Sequence, residues 1–362
     1  MKVLLLRSLK TLLLCLLVLF NNPSKGNEQE AINYDKQLEA LEFIKTSNPQ
    51  RAREMLRELE SSLSELSDEQ KDLYKLYFAH SLAIMGEYDQ SQRELENLTL
   101  TATTIDLKAR AHSLLSNIYL FEGEYKDAFV HSARSLENLA SLDEKKLHKF
   151  AVLQNASSLY KQSGLLSKAM EYSRQMLSIA EKQKDVLKLC VGNYEMASWE
   201  VEKSSVEIAD LRLKSAEDYC DKTGDDIFKV LVAERRAEYY LLIENQDSAI
   251  NILKAWEERV KEIDYKSLSN LYEIKLSEAY LAAEKIDEAL VYANSAYERT
   301  KKYNDSTRLM EACKLLASIY SELNDLEKSV EYYQEYMQLE KQLEIITNQR
   351  KLAYYMASVQ SD

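Results

Sequence analysis

The sequence predicts an all-α protein, an α-solenoid of about eight helix-turn-helix repeats that is followed by one further helical segment. The first observation is composition, because 362 residues contain only six Gly and two Pro, too few for a β-sandwich or for the loops of an α/β enzyme. The second is the long uninterrupted runs of helix-forming residues. The third is an internal repeat with a period near 40 residues.

The N-terminal segment has the pattern of a secretory signal peptide. Lys2, Arg7 and Lys10 precede an apolar run at 11–20, and small residues precede a cleavage point after Gly26. The run is shorter than the roughly 20 apolar residues that a membrane-spanning helix needs. We therefore expect an exported mature chain, periplasmic or secreted, with no stable membrane span. An uncleaved segment that tethers the chain to a membrane is the alternative.

Each repeat carries two small residues twelve positions apart, one in its first helix (helix A) and one in its second (helix B). Helices approach closely only where side chains are small, and a large side chain three residues after the first small one fills the space beside the contact. The spacing therefore predicts eight helix pairs packed in one register. The small pairs are Ala40 and Ala52, Ala79 and Ser91, Ser116 and Ala128, Ser157 and Ala169, Ala197 and Ala209, Ala237 and Ala249, Ser277 and Ala289, and Ala317 and Ser329.

The turn between the two helices lies seven residues after the first small residue. Gly86, Gly123 and Gly164 occupy this position in three repeats, and Gly readily adopts the left-handed conformation that ends a helix. In the other five repeats the position is not Gly, and we expect those turns to be built differently. The residues there are Ser47, Ser204, Glu244, Glu284 and Asn324.

The third repeat shows a family resemblance. Leu115, Ser116 and Tyr119, followed by Gly123 and Ala128, resemble the tetratricopeptide repeat (TPR) signature. The resemblance implies a right-handed superhelix whose A helices line the concave face. The period near 40 exceeds the family's 34, and no repeat keeps the family's Trp or its terminal Pro. HEAT-type repeats are the alternative, but they lack this fixed register of small and aromatic residues.

The chain is expected to have three parts, a signal peptide at 1–26, a TPR-like solenoid at 27–344 and a helical extension at 345–362. The extension continues one apolar stripe beyond the last repeat, either as a capping helix or as a linker to another domain. This arrangement is similar to the exported TPR sensor regions of bacterial signalling proteins, in which the repeats precede a long helix and a cytoplasmic output domain.

The charge of the chain excludes one class of partner. The formal net charge is −13 at pH 7, and removal of residues 1–26 would bring it to −17. A surface this acidic repels phosphate backbones, and no basic stripe offsets it. We expect no nucleic-acid partner.

No catalytic pattern emerges. His80, His112, His131 and His148 have no metal-ligand spacing, and the sequence has no phosphate-binding Gly loop and no nucleophile elbow. We therefore expect no enzymatic activity and no cofactor, and an enzyme with an unrecognised site is the remotest alternative.

Three cysteines follow the signal peptide, Cys190, Cys220 and Cys313. Three widely spaced cysteines do not form a disulfide framework, so we interpret them as buried apolar side chains. A bridge between Cys190 and Cys220 within one helix pair can form but is not predicted.

The concave face that the resemblance implies is the candidate binding site. In repeats three to six its helix-A positions are polar with mixed charge, which suits an extended peptide whose backbone needs hydrogen-bond partners. In repeats one, two and seven they turn apolar, for example at Leu41 and Ile44. An inner face that is only solvated is the alternative. The candidate groove residues are Arg110, Ser113, Asn117, Gln154, Asn155, Ser158, Lys161, Tyr194, Ser198, Glu234, Arg235 and Glu238.

One specific version of that groove is excluded. Chaperone-binding members of the family grip a peptide carboxylate with two Asn and three basic residues. Asn117 and Asn155 match the two Asn, but Ser113, Val191 and Glu195 stand at the basic positions. Glu195 would repel a carboxylate, although the two Asn could still hold a peptide backbone.

The sequence therefore predicts a non-enzymatic scaffold that binds a protein or peptide, with the sensor part of a signalling protein as its closest analogue. A structural scaffold for envelope complexes, acting through the convex face, is the alternative. The sequence does not predict an oligomeric state.

Overall fold

The computed structural model describes residues 33–144, 147–263 and 266–359, and the predicted signal peptide lies outside them. Sixteen α-helices and two short 3₁₀ turns, Leu63–Glu65 and Leu139–Ser141, account for the regular structure there, and no strand occurs in this part of the chain. The helices are α1 Tyr34–Ser47, α2 Pro49–Glu60, α3 Asp68–Ile84, α4 Tyr88–Thr101, α5 Ile105–Glu122, α6 Tyr125–Leu136, α7 Leu147–Gln162, α8 Leu166–Gln183, α9 Val186–Glu202, α10 Val206–Thr223, α11 Asp226–Leu242, α12 Gln246–Ile263, α13 Lys266–Ala282, α14 Ile286–Lys302, α15 Ser306–Glu322 and α16 Leu326–Val359.

The helices form eight successive pairs, so the predicted all-α solenoid of about eight repeats is confirmed. The odd-numbered helices are the A helices and the even-numbered ones the B helices. Each A helix packs on the B helix of its own repeat, and most A helices also contact the A helix of the next repeat.

Side-chain caps fix where several A helices begin. Ser67 and Gln70 form a capping box at α3, in which each side chain accepts a backbone hydrogen bond from the other residue. Asp185 caps α9 by accepting a bond from the Lys188 amide at 3.0 Å, and Asp225 caps α11 in the same way. Loss of one such cap costs roughly 1 kcal/mol.

The small residues lie in the predicted register. The first of each pair falls in an A helix and the second in the B helix of the same repeat. Where one of them is Ser, its hydroxyl in four repeats donates to the backbone carbonyl of the other, which is possible only because the two helices approach closely there. These bonds are Ser91 to Ala79 (2.6 Å), Ser157 to Ala169 (3.0 Å), Ser277 to Ala289 (2.9 Å) and Ser329 to Ala317 (2.8 Å).

The close contact between α13 and α14 makes the seventh repeat sensitive to the volume of the side chain at Ala289. Ala289 is fully buried against α13, so Ala289→Leu is expected to overpack it and to lower the free energy of unfolding by about 1–3 kcal/mol. Val291→Leu is the control, because Val291 lies on the same helix but is 67% exposed. Equal melting temperatures for the two variants in thermal denaturation would contradict the assigned register.

The expectation for the non-Gly turns is wrong in four repeats. Gly123 has a φ of 83°, but Ser204, Glu244, Glu284 and Asn324 also have φ values of 56° to 58°. The reason is a hydrogen bond that both kinds of turn share. The Glu124 amide donates to Tyr119 O at 2.9 Å, and in the sixth repeat the Asn245 amide donates to Tyr240 O at 2.8 Å. This hydrogen bond closes the turn, and it offsets the cost of about 1–2 kcal/mol of placing a non-Gly residue in the left-handed conformation.

The first repeat does turn differently. Asn48 has a negative φ of −142°, and its side chain caps α2, which Pro49 begins. Pro suits this position because its missing amide would have no helical partner.

The cysteines of the fifth repeat are bonded to each other. Cys190 in α9 and Cys220 in α10 form a disulfide with a Cα–Cα distance of 4.7 Å. The interpretation of these two residues as free buried side chains is therefore wrong, because the pairing of α9 with α10 brings them within bonding distance. For Cys313 the interpretation is confirmed, since it is free and buried.

Helix α16 is longer than the other helices, and its second half packs against repeats that come much earlier in the sequence. Its 34 residues include the predicted boundary between Glu344 and Ile345, and its second half lies against α6 and the α7–α8 turn. Ala353 and Ala357 are buried there in a cluster with Phe129. The predicted extension is therefore a helix that covers part of repeats three and four.

Aromatic and polar contacts hold this second half of α16 in place. The Tyr354 ring lies 5.4 Å from that of Phe129 and 5.7 Å from that of Tyr160, edge to face in both cases. Arg350 Nη1 donates to Gln162 O at 3.2 Å. We call this packing the docking contact; its residues are Arg350, Ala353, Tyr354 and Ala357 of α16 together with Phe129, Tyr160 and Gln162 of repeats three and four.

None of the helices in the described ranges is long and apolar enough to cross a membrane.

Candidate functional site

A groove of about 1440 Å³ runs along the A helices of repeats one to six. It begins at the end of α1, passes α5, α7 and α9, and ends where α11 starts. Its volume exceeds the roughly 300–1,000 Å³ of typical small-molecule pockets. Its size and elongated course suit a polypeptide segment.

Five of the predicted residues line this groove, Arg110, Asn117, Gln154, Asn155 and Tyr194. Arg110 is buried, and the other four are half-buried. Within the described chain, the side-chain amides of Asn117 and Gln154 have no hydrogen-bond partner. Both amides can therefore donate to and accept from a ligand backbone.

Ser113 and Tyr194 show how the floor of the groove is held. Ser113 is buried beneath the groove, where its hydroxyl accepts a hydrogen bond from Asn155 Nδ2 at 2.8 Å. This contact orients the Asn155 amide so that its oxygen remains available. Burial raises the pKa of Tyr194 to about 12, so its hydroxyl stays protonated and can donate.

Three other predicted residues do not line the groove. Ser158 is exposed on α7, and Ser198 is buried, with its hydroxyl 3.0 Å from the Tyr194 carbonyl oxygen. The ammonium of Lys161 lies 4.5 Å above the Trp199 ring and is engaged with Glu202.

Glu234, Arg235 and Glu238 form a charged group in the sixth repeat, outside the lining of the groove. Glu234 is fully buried, and its Oε2 lies 3.8 Å from Arg235 Nη2, which is too long for a hydrogen bond. Burial raises the pKa of Glu234 against the opposing charge of Arg235. Arg235 pairs with Glu238 instead.

One charged cluster at the start of the groove was not predicted from the sequence, although its member Arg110 was. Glu42, Lys45, His80 and Arg110 meet there from α1, α3 and α5, and all four line the groove; we call them the basic end. Lys45 Nζ lies 2.7 Å from Glu42 Oε1, and Arg110 Nη2 lies 3.5 Å from the same oxygen. The only sequence signal was the spacing of Glu42 and Lys45, three residues apart on one helix face.

The opposite end of the groove is acidic. Asp185, Asp225, Asp226 and Glu262 line it together with Arg259 and two lysines. Asp226 pairs with Arg259 at 2.7 Å. The groove therefore has an excess of cations at one end and of carboxylates at the other, and its lining also includes apolar side chains such as Leu114, Phe150 and Val191.

No family model matches the sequence, and no curated protein matches it significantly.

Solved structures share the fold. A Rap protein complexed with the Competence and Sporulation Factor superposes with a TM-score of 0.60 at 14% identity, over 86% of this chain and 99% of that one. The apo form of the quorum sensor NprR from B. thuringiensis superposes with a TM-score of 0.57 at 15% identity, over 87% and 90%. A STAND protein with a tetratricopeptide repeat sensor from Pyrococcus horikoshii gives 0.56 at 17%, over 92% and 50%. The fold is that of TPR-like helical repeat proteins.

Proposed function

We propose that the protein is a scaffold that binds a protein or an extended peptide in the groove of repeats one to six. The observation that carries this proposal is the set of half-buried amides at Asn117, Gln154 and Asn155, two of which have no partner within the described chain. A peptide backbone presents N–H and C=O groups in alternation, and amide side chains can satisfy both. The similarity to a Rap protein that was complexed with a factor supports the proposal.

We further propose that the chain works outside the cytoplasm, as the sensor part of a signalling protein. The N-terminal pattern of residues 1–26 supports export. The Cys190–Cys220 disulfide supports it too, because such bonds persist mainly in oxidising compartments.

The groove is tested by removing its open amides. Residues 27–362 serve as bait for affinity capture from culture supernatant of the source organism, and the retained molecules are identified by mass spectrometry. The double variant Asn117→Ala and Gln154→Ala should weaken capture of the partner by roughly tenfold or more, since each net hydrogen bond contributes about 1 kcal/mol.

A matched control removes two amides elsewhere. Gln334 and Gln338 are exposed on α16 and do not line the groove, so the variant Gln334→Ala and Gln338→Ala should capture the partner like the wild type. Undiminished capture by the groove variant would rule out the groove as the binding surface.

A further inference from the structure

We propose that the basic end of the groove binds a carboxylate of the bound peptide, and that Glu42 accepts a hydrogen bond from an N–H next to that carboxylate. The proposal deepens the proposed function and rests on it for the identity of the ligand as a peptide. None of the residues involved stands at the basic positions of the carboxylate clamp that the sequence excludes.

Three buried polar atoms at the basic end lack hydrogen-bond partners. Arg110 is 3% exposed, and its Nε, like Glu42 Oε2 and His80 Nδ1, is buried without a hydrogen-bond partner in the described chain, while the buried Tyr77 hydroxyl interacts with the Glu42 carboxylate. A buried polar atom that lacks a partner costs roughly 1–3 kcal/mol. Since all three side chains line the groove, a ligand can supply the missing partners.

The charges at the basic end also point to an anionic ligand. Although burial alone would raise it, the charges of Lys45 and Arg110 hold the pKa of Glu42 at about 2. Burial and the same two cations lower the pKa of His80 to about 3. Glu42 is therefore ionised and His80 neutral at pH 7, and two cations share one carboxylate. Burial lowers the pKa of Lys45, and an added anion would favour its charged form. The basic end thus favours a ligand with one negative charge.

The unpaired donor and acceptor at the basic end determine which kind of anion fits. Arg110 Nε–H is a donor and needs an acceptor, whereas the ionised Glu42 Oε2 is an acceptor and needs a donor. A phosphate or sulfate would place further negative charge beside Glu42 and bring no N–H group. A carboxylate within a peptide supplies both, because an amide N–H always lies close to it. That carboxylate can belong to the C-terminus or to an acidic side chain.

Capped amino acids test the basic end without requiring a peptide ligand. N-acetylglycine carries the carboxylate of a C-terminus, N-acetylaspartate α-methylamide carries that of a side chain, and N-acetylglycine methylamide is neutral. Titration of each into residues 27–362, followed by NMR or calorimetry, should show at least about tenfold tighter binding of one or both carboxylate probes than of the neutral one. The tighter of the two identifies the source of the carboxylate.

Variants locate the binding. Lys45→Gln and Arg110→Gln should each remove the preference for the carboxylate probe. Arg259→Gln should keep it, because this control removes a positive charge from the far end of the same groove. The wild-type comparison of charged and neutral probes needs no variant, so the test survives if Arg110→Gln does not fold.

The outcomes separate the two proposals. Equal binding of the charged and neutral probes, or an unchanged preference in Lys45→Gln, overturns the carboxylate site. A carboxylate preference that depends on Lys45, combined with no peptide captured by the wild type, would keep the site and contradict the peptide-binding function.

Discussion

Replacing Cys190 and Cys220 together by Ala is expected to lower the free energy of unfolding by about 3.6 kcal/mol. The disulfide closes a segment of 30 residues and so restricts the unfolded chain, and the entropy of closing a loop of that length corresponds to this figure. The fifth repeat should lose most, because the bond joins its two helices. Urea denaturation of the oxidised wild type and of the double variant, followed by circular dichroism, measures the difference.

Two comparisons show whether the bond itself is responsible. A reducing agent should bring the wild type close to the stability of the double variant and leave the double variant unchanged. Cys313→Ala, a change at a free buried cysteine, keeps the disulfide and should still lose stability when a reducing agent is added. Equal stability of the reduced and oxidised wild type would show that the bond contributes nothing.

Ala353→Glu is expected to release the second half of α16 and to lower the free energy of unfolding by about 2 kcal/mol. Ala353 is 8% exposed within the docking contact, and burial of a carboxylate without a partner is unfavourable. The helix should detach instead, which exposes the rings of Phe129 and Tyr160. Limited proteolysis near the C-terminus and chemical denaturation should detect the change.

Leu352→Glu is the matched control, because Leu352 is the neighbouring residue and is 61% exposed. It introduces the same charge into the same helix and should leave both the proteolysis pattern and the stability unchanged. If the two variants behave alike, the docking contact does not exist in solution.

The repeat could be predicted because its determinants are local. Two helices joined by a short turn can pack closely only at small side chains, so the twelve-residue spacing of Ser277 and Ala289 already specifies their contact. The turn at Glu284 could not be predicted from residue preference, since Glu rarely adopts positive φ. Its conformation follows from a hydrogen bond between the Lys285 amide and Tyr280 O, which depends on the packed helix pair.

The groove was predictable only in part, for a related reason. Asn117 and Asn155 follow the repeat register, so their position on the A helices could be read from spacing. Glu42 and Lys45 lie in the first repeat and Arg110 lies in the third. The placement of these repeats relative to each other depends on how successive helix pairs stack, and side-chain spacing within one helix does not encode it. The docking contact depends on the stacking of repeats in the same way, whereas the disulfide joins the two helices of one repeat.

The docking contact also has a kinetic consequence. Arg350 and Gln162 lie 188 residues apart in the chain, whereas most other packing contacts in the described chain join helices of the same repeat or of adjacent repeats. A contact of such high sequence separation can form only after the repeats between its two sides are in place. Mutations within it should therefore accelerate unfolding and leave the folding rate nearly unchanged. The second half of α16 thus determines how long the folded protein lasts, and the local helix pairs determine how quickly it forms.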